Sequence, residues 1–222
     1  MRHDQKSLLM IYRRMFGRYG HLSWWPAETP FEVCIGAILT QNTAWTNVEK
    51  AIVALKQAGI MTPATLKAIE PEQLAQLIRP AGYFNIKSQR LKEFVEWLFL
   101  HHDGSLEQMF TVEWCALRTD LLQVRGIGPE TADSIMLYAG NKPTFVVDAY
   151  TRRLFYRLGL LPEDAGYDET RGLFMAHLPN NVQLFNEYHA LIVEQCKQFC
   201  RKKPLCNGCP LLDICSYAQT AR

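Results

Sequence analysis

Apolar residues recur along the chain at spacings of three and four, which is the period of an amphipathic helix. Two clear stripes are Ala44, Val48, Ala51, Ile52, Leu55 and Leu91, Phe94, Val95, Leu98, Phe99. Glycine, proline and aspartate separate such stripes near residues 59, 80–82, 103–104, 126–128 and 140–143. The pattern predicts an all-α fold of about nine or ten helices with short connections. Residues 144–147 resemble a strand, but four residues between helices favour a buried helix or turn.

The composition is that of a globular chain. Of 222 residues, 48% are hydrophobic and 21% charged, so the chain can bury a full core as one domain or two lobes. No stretch approaches the ~18 unbroken apolar residues of a membrane span, and the N-terminus lacks a signal-peptide pattern. We therefore expect a cytoplasmic protein with no membrane partner.

Charge is unevenly distributed although the net charge is only +2. Residues 79–92 contain four basic side chains and no acid, and residues 148–158 contain three arginines against Asp148. Separate basic clusters are typical of a phosphate-binding face. Solvated helix faces give the same pattern, so both interpretations stay open.

Residues 121–140 form the first motif with chemical meaning. An apolar helix is followed by Gly126 and Gly128, and Pro129 suits the first turn of a new helix. Glycines allow close approach to a ligand, and the main-chain amides at a helix N-terminus attract phosphate. A hairpin of this kind could hold a DNA backbone without reading its sequence. A plain turn between packed helices is the alternative.

A single carboxylate follows at Asp148, twenty residues after Gly128, in the string FVVDAYTRR at 145–153. It comes after an apolar run and precedes Arg152 and Arg153. It could be a catalytic carboxylate, an ordinary helix N-cap or one half of an ion pair.

The seven cysteines are concentrated at the end of the chain. Cys34 and Cys115 stand in apolar sequence and are expected in the core, whereas five cysteines fall in the last 27 residues. Four of them follow the pattern Cys200-x5-Cys206-x2-Cys209-x5-Cys215. So compact a set favours an iron–sulfur cluster, with zinc as the alternative.

Together these motifs resemble the helix–hairpin–helix DNA glycosylases of the endonuclease III superfamily. In that family a hairpin L-x-G-[IV]-G precedes an essential aspartate in a V-D-x-x-x-x-R setting. The resemblance implies a two-lobed helical fold that ends in a [4Fe–4S] cluster loop at 200–215. Residues 31–140 would form a six-helix barrel that includes the helix–hairpin–helix at about 117–140. Residues 1–30 and 141–222 would form the second lobe, with a DNA cleft between the two.

The resemblance also implies roles for individual residues. Asp148 is the expected catalytic residue. Gln41 and Tyr83 lie where relatives fill the hole left by a flipped-out base. The full set expected to contact DNA is Gln41, Tyr83, Lys87, Gly126, Gly128 and Arg152. The hairpin carbonyls would also allow a bound monovalent cation. The expected partner is duplex DNA with a damaged base, bound by a monomer that is nucleoid-associated if the source is prokaryotic.

The cluster ligands implied by the resemblance are Cys200, Cys206, Cys209 and Cys215. The family spacing is six, two and five, whereas the first gap here is five. Whether Cys200 or Cys196 is the first ligand therefore stays open.

Glu130 suggests the branch of the family. Strand-cleaving members have lysine at this position, whose amine forms a Schiff base with the sugar, and a carboxylate cannot do so. The expected enzyme is monofunctional, and Asp148 would orient or deprotonate water. The chain is most similar to the 3-methyladenine glycosylase branch, and Trp24, Trp25 and Trp45 are expected to hold a cationic base. The alternatives are an endonuclease III-like lyase on oxidised pyrimidines and a non-catalytic iron–sulfur DNA-binding protein.

Overall fold

The computed structural model describes residues 5–22 and 24–220, and this part of the chain is helical without strands. Its thirteen α-helices are α1 Gln5–Tyr19, α2 Pro30–Leu39, α3 Trp45–Gln57, α4 Pro63–Ala68, α5 Pro71–Leu77, α6 Phe84–His102, α7 Leu106–Met109, α8 Trp114–Gln123, α9 Pro129–Ser134, α10 Ala149–Arg157, α11 Tyr167–His177, α12 Val182–Gln198 and α13 Ser216–Thr220. The predicted all-α class is confirmed. The helices outnumber the nine or ten expected because several are only four to seven residues long.

Local sequence signals define many of the helix starts. Prolines begin α2, α4, α5 and α9, where the missing N–H has no helical partner. Thr29 Oγ1 caps α2 by accepting from the main-chain N–H of Glu32 at 3.1 Å. The chain thus encodes much of its helix spacing within short windows.

The chain divides into two compact units. Trp25–Lys142 forms the middle unit, and the segment up to Trp24 together with the segment from Pro143 onward forms the terminal unit. The boundaries drawn from the sequence lie a few residues away from these. The six-helix barrel stays a prediction.

The middle unit is built around α2. Every residue from Phe31 to Leu39 is buried, and α3, α6 and α9 pack against this helix. The one charged side chain among them, Glu32, pairs with Lys56 Nζ at 2.9 Å. A helix that is apolar on all sides belongs in the centre of its unit. Cys34 is buried here as expected, whereas Cys115 is exposed on α8, so its predicted core position is wrong.

The terminal unit has an aromatic core. The rings of Phe145 and Phe174 stack with centroids 3.7 Å apart, and Phe155, Phe185 and Tyr188 surround them. The Tyr188 hydroxyl donates to the main-chain oxygen of Leu8 at 2.8 Å, which ties α12 to α1.

Residues 144–147 lead into α10 through this core and have no regular secondary structure. The expected helix or turn is therefore wrong. Side chains of α11 supply polar partners instead: Arg171 Nε donates to Thr144 Oγ1 at 2.9 Å, and the Val147 N–H donates to the Tyr167 hydroxyl at 3.4 Å. Among the described helices, none is both long and apolar enough to span a bilayer.

Candidate active site

Asp148 stands immediately before α10 and is its N-cap. Its Oδ1 accepts from the Thr151 main-chain N–H at 2.7 Å and from the Thr151 hydroxyl at 2.9 Å. The capping interpretation of this residue is thus correct. Both capping bonds end on Oδ1, so the cap does not use Oδ2.

Oδ2 of Asp148 lies 3.6 Å from Nε2 of His189 on α12. Both side chains are largely enclosed, with 14% of Asp148 and 6% of His189 exposed. Burial by itself would raise the pKa of Asp148, but the interaction with His189 and the bonds from Thr151 outweigh it and lower that pKa below its ordinary value. Asp148 is therefore a carboxylate at neutral pH.

The sequence does not indicate His189 as a residue of the site. It lies 41 residues after Asp148, and no local pattern links the two. The fold also brings Trp24 to this place: its ring meets that of His189 edge-on, with centroids 6.3 Å apart. Lys197 Nζ lies 5.8 Å from the Trp24 ring centroid.

The other two predicted base-pocket residues lie in the middle unit. The rings of Trp25 and Trp45 meet edge-on, with centroids 5.0 Å apart. The ring of Tyr138, which the sequence did not indicate, has its centroid 5.2 Å from that of Trp25. Trp45 Nε1 donates to Glu49 Oε1 at 2.7 Å. This bond forms because residues four apart on α3 face each other.

The predicted hairpin joins α8 to α9. Gly126 has φ +88°, a region that favours glycine, and a Cβ there would lie 2.3 Å from Arg90 Cγ. Gly128 is exposed and directly precedes Pro129, the first residue of α9. Asp133 on α9 is fully buried and accepts two bonds from Arg118 on α8, at 2.9 and 3.1 Å. This bidentate pair holds the two helices of the hairpin together.

Gln41 is bonded to the hairpin. Its Nε2 donates to the Gly126 main-chain oxygen and to Thr131 Oγ1, each at 2.9 Å, and Arg90 donates to its Oε1. The side chain is half-buried. Its role in filling the space of a flipped base stays a prediction, and the structure adds a contact that orients its amide.

The remaining residues expected to contact DNA differ in exposure. Tyr83 is 67% exposed and has φ +45°, and Arg152 is exposed on α10. Lys87 is only 1% exposed, and its Nζ donates to Leu39 O, Thr43 Oγ1 and Ala81 O at 2.6–2.8 Å. This corrects the expected DNA contact of Lys87: the amine is enclosed by oxygens of its own unit, where phosphate cannot reach it.

The four cysteines of the predicted cluster loop line one cavity in the terminal unit. Two side chains direct N–H groups at sulfur: Arg157 donates to Cys200 Sγ at 3.3 Å, and Gln195 donates to Cys209 Sγ at 3.1 Å. Most other lining residues are apolar. Four thiols, sulfur-directed donors and an apolar wall fit an iron–sulfur cluster.

Cys196 has a different environment. It is buried, and its Sγ contacts the Tyr150 main-chain oxygen at 3.6 Å. Cys196 donates a hydrogen bond to Cys200, which lowers the pKa of Cys200 to about 6. Burial of Cys200 would raise this pKa, and the neighbouring Arg157 lowers it further.

Among the described residues, no three Cys, His, Asp or Glu side chains converge on one point, as a single zinc ion requires.

Comparison with known proteins identifies the family. The model of the HhH-GPD superfamily base excision DNA repair protein matches residues 35–180. A protein of Methanocaldococcus jannaschii, provisionally assigned as a DNA repair glycosylase, is 48% identical over 95% of this chain and 96% of its own length. The 3-methyladenine DNA glycosylase MagIII of H. pylori, solved with 1,N6-ethenoadenine, is similar with a TM-score of 0.74 and 31% identity, covering 88% of this chain and 98% of MagIII.

An endonuclease III–DNA complex has a TM-score of 0.84 over 98% of this chain and 97% of that one, but its 22% identity speaks for the fold alone. The family model covers well over half of the chain, and the relative from M. jannaschii is similar along almost its whole length. The chain therefore belongs to the HhH-GPD superfamily of base excision DNA repair proteins, as a DNA repair glycosylase of that superfamily.

Proposed function

We propose that the protein is a monofunctional DNA glycosylase that hydrolyses the N-glycosidic bond of an N-alkylated purine flipped out of duplex DNA. The observation that carries the proposal is the ionised Asp148, whose Oδ1 is held by Thr151 while Oδ2 is left for reaction. A carboxylate with one oxygen anchored can present the other at a constant position.

The reaction needs few groups. The bond between the sugar C1′ and the base nitrogen breaks, and its electron pair neutralises the positive charge of the alkylated base. The carboxylate of Asp148 stabilises the positive charge that develops on the sugar. A water molecule then forms the new C1′–O bond and gives up one proton. Because an alkylated purine is already a good leaving group, no acid is needed to protonate it.

Glu130 supports the monofunctional assignment. It occupies the second position of α9 and is exposed. A carboxylate there cannot form the Schiff base through which strand-cleaving enzymes act.

Two features support an alkylated purine as substrate. Trp25, Trp45 and Tyr138 provide electron-rich rings, and a cationic base gains about 0.5–2 kcal/mol from such rings. The similarity to MagIII, whose name is that of a 3-methyladenine glycosylase, points the same way.

The cysteine cavity is proposed to hold a [4Fe–4S] cluster through Cys200, Cys206, Cys209 and Cys215. When bound, the cluster cross-links the loop by four Fe–S bonds and can carry an electron. The neighbouring Arg201, Lys202 and Lys203 are exposed and suit contact with phosphate. We propose that the protein acts on duplex DNA as a monomer, with Gly126, Gly128, Tyr83 and Arg152 among its contacts.

The test is a base-release assay on duplexes that carry 3-methyladenine, 7-methylguanine, thymine glycol, uracil or a mismatch. Release of the alkylpurines, and its loss in Asp148→Asn, is the expected result. Release of thymine glycol alone would contradict the substrate assignment but not the family. Activity that survives Asp148→Asn would contradict the mechanism.

A further inference from the structure

His189 is a buried histidine that faces the carboxylate at the start of α10. Its Nε2 lies 3.6 Å from Asp148 Oδ2, and only 6% of its side chain is exposed. Asp148 Oδ1 already accepts two bonds from Thr151, so the approach of His189 is specific to the oxygen that the proposed reaction uses.

The proposed hydrolysis leaves one proton to be placed. The attacking water loses it as the C1′–O bond forms, and the nearest base is Asp148. The bonds and charges that hold Asp148 ionised also make it a weak base, so a proton on Oδ2 is short-lived. A second proton acceptor within reach of Oδ2 would complete the reaction, and a neutral imidazole can accept a proton.

We propose that His189 positions Asp148 through Oδ2 and accepts, by way of that oxygen, the proton released by the attacking water. The proton passes from water to Asp148 Oδ2 and then to His189 Nε2, which leaves a carboxylate beside an imidazolium. The separation of 3.6 Å allows either a small approach of the two groups or one bridging water. This inference rests on the proposed function.

The surroundings of His189 suit this role. The Trp24 ring packs edge-on against the imidazole, and the amine of Lys197 lies over the Trp24 ring. Asp148 and, beyond Trp24, Lys197 are the charged groups that the described contacts place around it. Trp24 therefore packs against the imidazole that faces Asp148.

The experiment compares wild type, His189→Gln, Asp148→Asn and His177→Gln in single-turnover release of 3-methyladenine across about pH 5–8. His177 is the matched control because it lies on α11 in the same unit, where its Nδ1 contacts the Leu173 main-chain oxygen at 2.9 Å. We expect His189→Gln to lower the rate by about 100-fold and to change the dependence of the rate on pH. His177→Gln should keep both the rate and the profile.

The outcomes separate this inference from the proposed function. If wild type releases base, Asp148→Asn does not, and His189→Gln keeps the wild-type pH profile, then His189 has only a packing role and the inference is overturned. A His189→Gln rate that is slower by one factor at every pH would overturn it as well. If Asp148→Asn releases base as fast as wild type, or wild type releases none, the proposed function fails and the inference with it. His189→Asn, checked with His189→Gln for a native thermal transition, guards against misfolding of one variant.

Discussion

The side-chain amide of Gln41 lies 2.9 Å from the main-chain oxygen of Gly126, so the segment after α2 is bonded directly to the hairpin between α8 and α9. Arg90 on α6 donates to the same amide and also packs against Gly126. A helix end, a hairpin and a neighbouring helix are thereby joined by one polar side chain. The hairpin geometry therefore depends on residues distant in sequence.

We expect Gly126 to be needed for stability and Gly128 for DNA binding. Gly126→Ala should lower the free energy of unfolding by about 2 kcal/mol, because a Cβ at φ +88° is strained and meets Arg90 at 2.3 Å. Gly128→Ala should change it by less than about 0.5 kcal/mol, since a Cβ there meets nothing within 4 Å, yet should weaken DNA binding. Urea unfolding and DNA titrations measure both. Equal stability losses in the two variants would contradict this distinction.

Asp148 is expected to serve both the fold and the reaction, and two substitutions separate these roles. Asp148→Asn should retain the helix cap and a cooperative thermal transition, at a lower temperature because the ionised carboxylate is lost. It should lower base release by about 100-fold or more. Asp148→Ala should also cost about 1 kcal/mol of stability through loss of the cap.

The lowered pKa of Asp148 predicts a dependence of stability on pH. The ionised carboxylate stabilises the folded protein above the unfolded pKa, and this stabilisation is lost as the pH falls through the folded pKa. An acid titration of stability should show a smaller loss in Asp148→Asn.

Glu130 gives a prediction about covalent chemistry. Wild type incubated with abasic-site DNA and borohydride should form no trapped adduct, because position 130 has no amine. Glu130→Lys should form one. A strong adduct with wild type would identify another amine as nucleophile and would refute the monofunctional assignment.

Lys87 should contribute to stability rather than to DNA affinity. Lys87→Met leaves three oxygens without their donor and should cost about 2–5 kcal/mol. Burial, with a smaller contribution from Arg90, lowers the pKa of Lys87 to about 8 from an ordinary 10.5. Between these values the unfolded chain binds more protons, so the Lys87 contribution to stability rises with pH.

Subtracting the Lys87→Met unfolding profile from that of wild type isolates this contribution. The difference should grow from about pH 8 to 10.5. Lys92→Met is the matched control, since Lys92 donates to the main-chain oxygens of Lys67 and Ile69 but lies nearer the surface, and it should cost less. A difference that falls with pH would show that the enclosed amine is not the titrating group.

The cysteine cavity predicts which thiol is the first cluster ligand. Cys200→Ser should lower the iron and sulfide content and the visible absorbance of anaerobically purified protein, because Cys200 lines the cavity. Cys196→Ser should retain both, because a serine hydroxyl at this position can still donate to Cys200 or to the Tyr150 main-chain oxygen. The reverse result would assign Cys196 as the ligand, and stoichiometric zinc without iron would replace the cluster by a zinc site.

Structural features that depend on a few neighbouring residues could be predicted from the sequence. Pro129 predicts the start of α9, and Gly126 and Gly128 predict the hairpin that precedes it. Such signals succeed because capping, proline geometry and left-handed turns depend on atoms within about four residues. The helical periodicity gave the all-α class for the same reason.

The burial of a side chain cannot be predicted from its few neighbours in sequence. Lys87 belongs to a basic stretch that suggests a surface, yet its amine is enclosed by the nearby Ala81 oxygen and by oxygens of the distant segment from Leu39 to Thr43. His189 gives no local sign that it faces Asp148, and adjacent Trp24 and Trp25 pack in different units. The sequence alone thus determined the helices, the hairpin and the chemical types at the site. Tertiary packing decided which of them meet, because contacts between residues tens of positions apart arise only when buried surfaces come together.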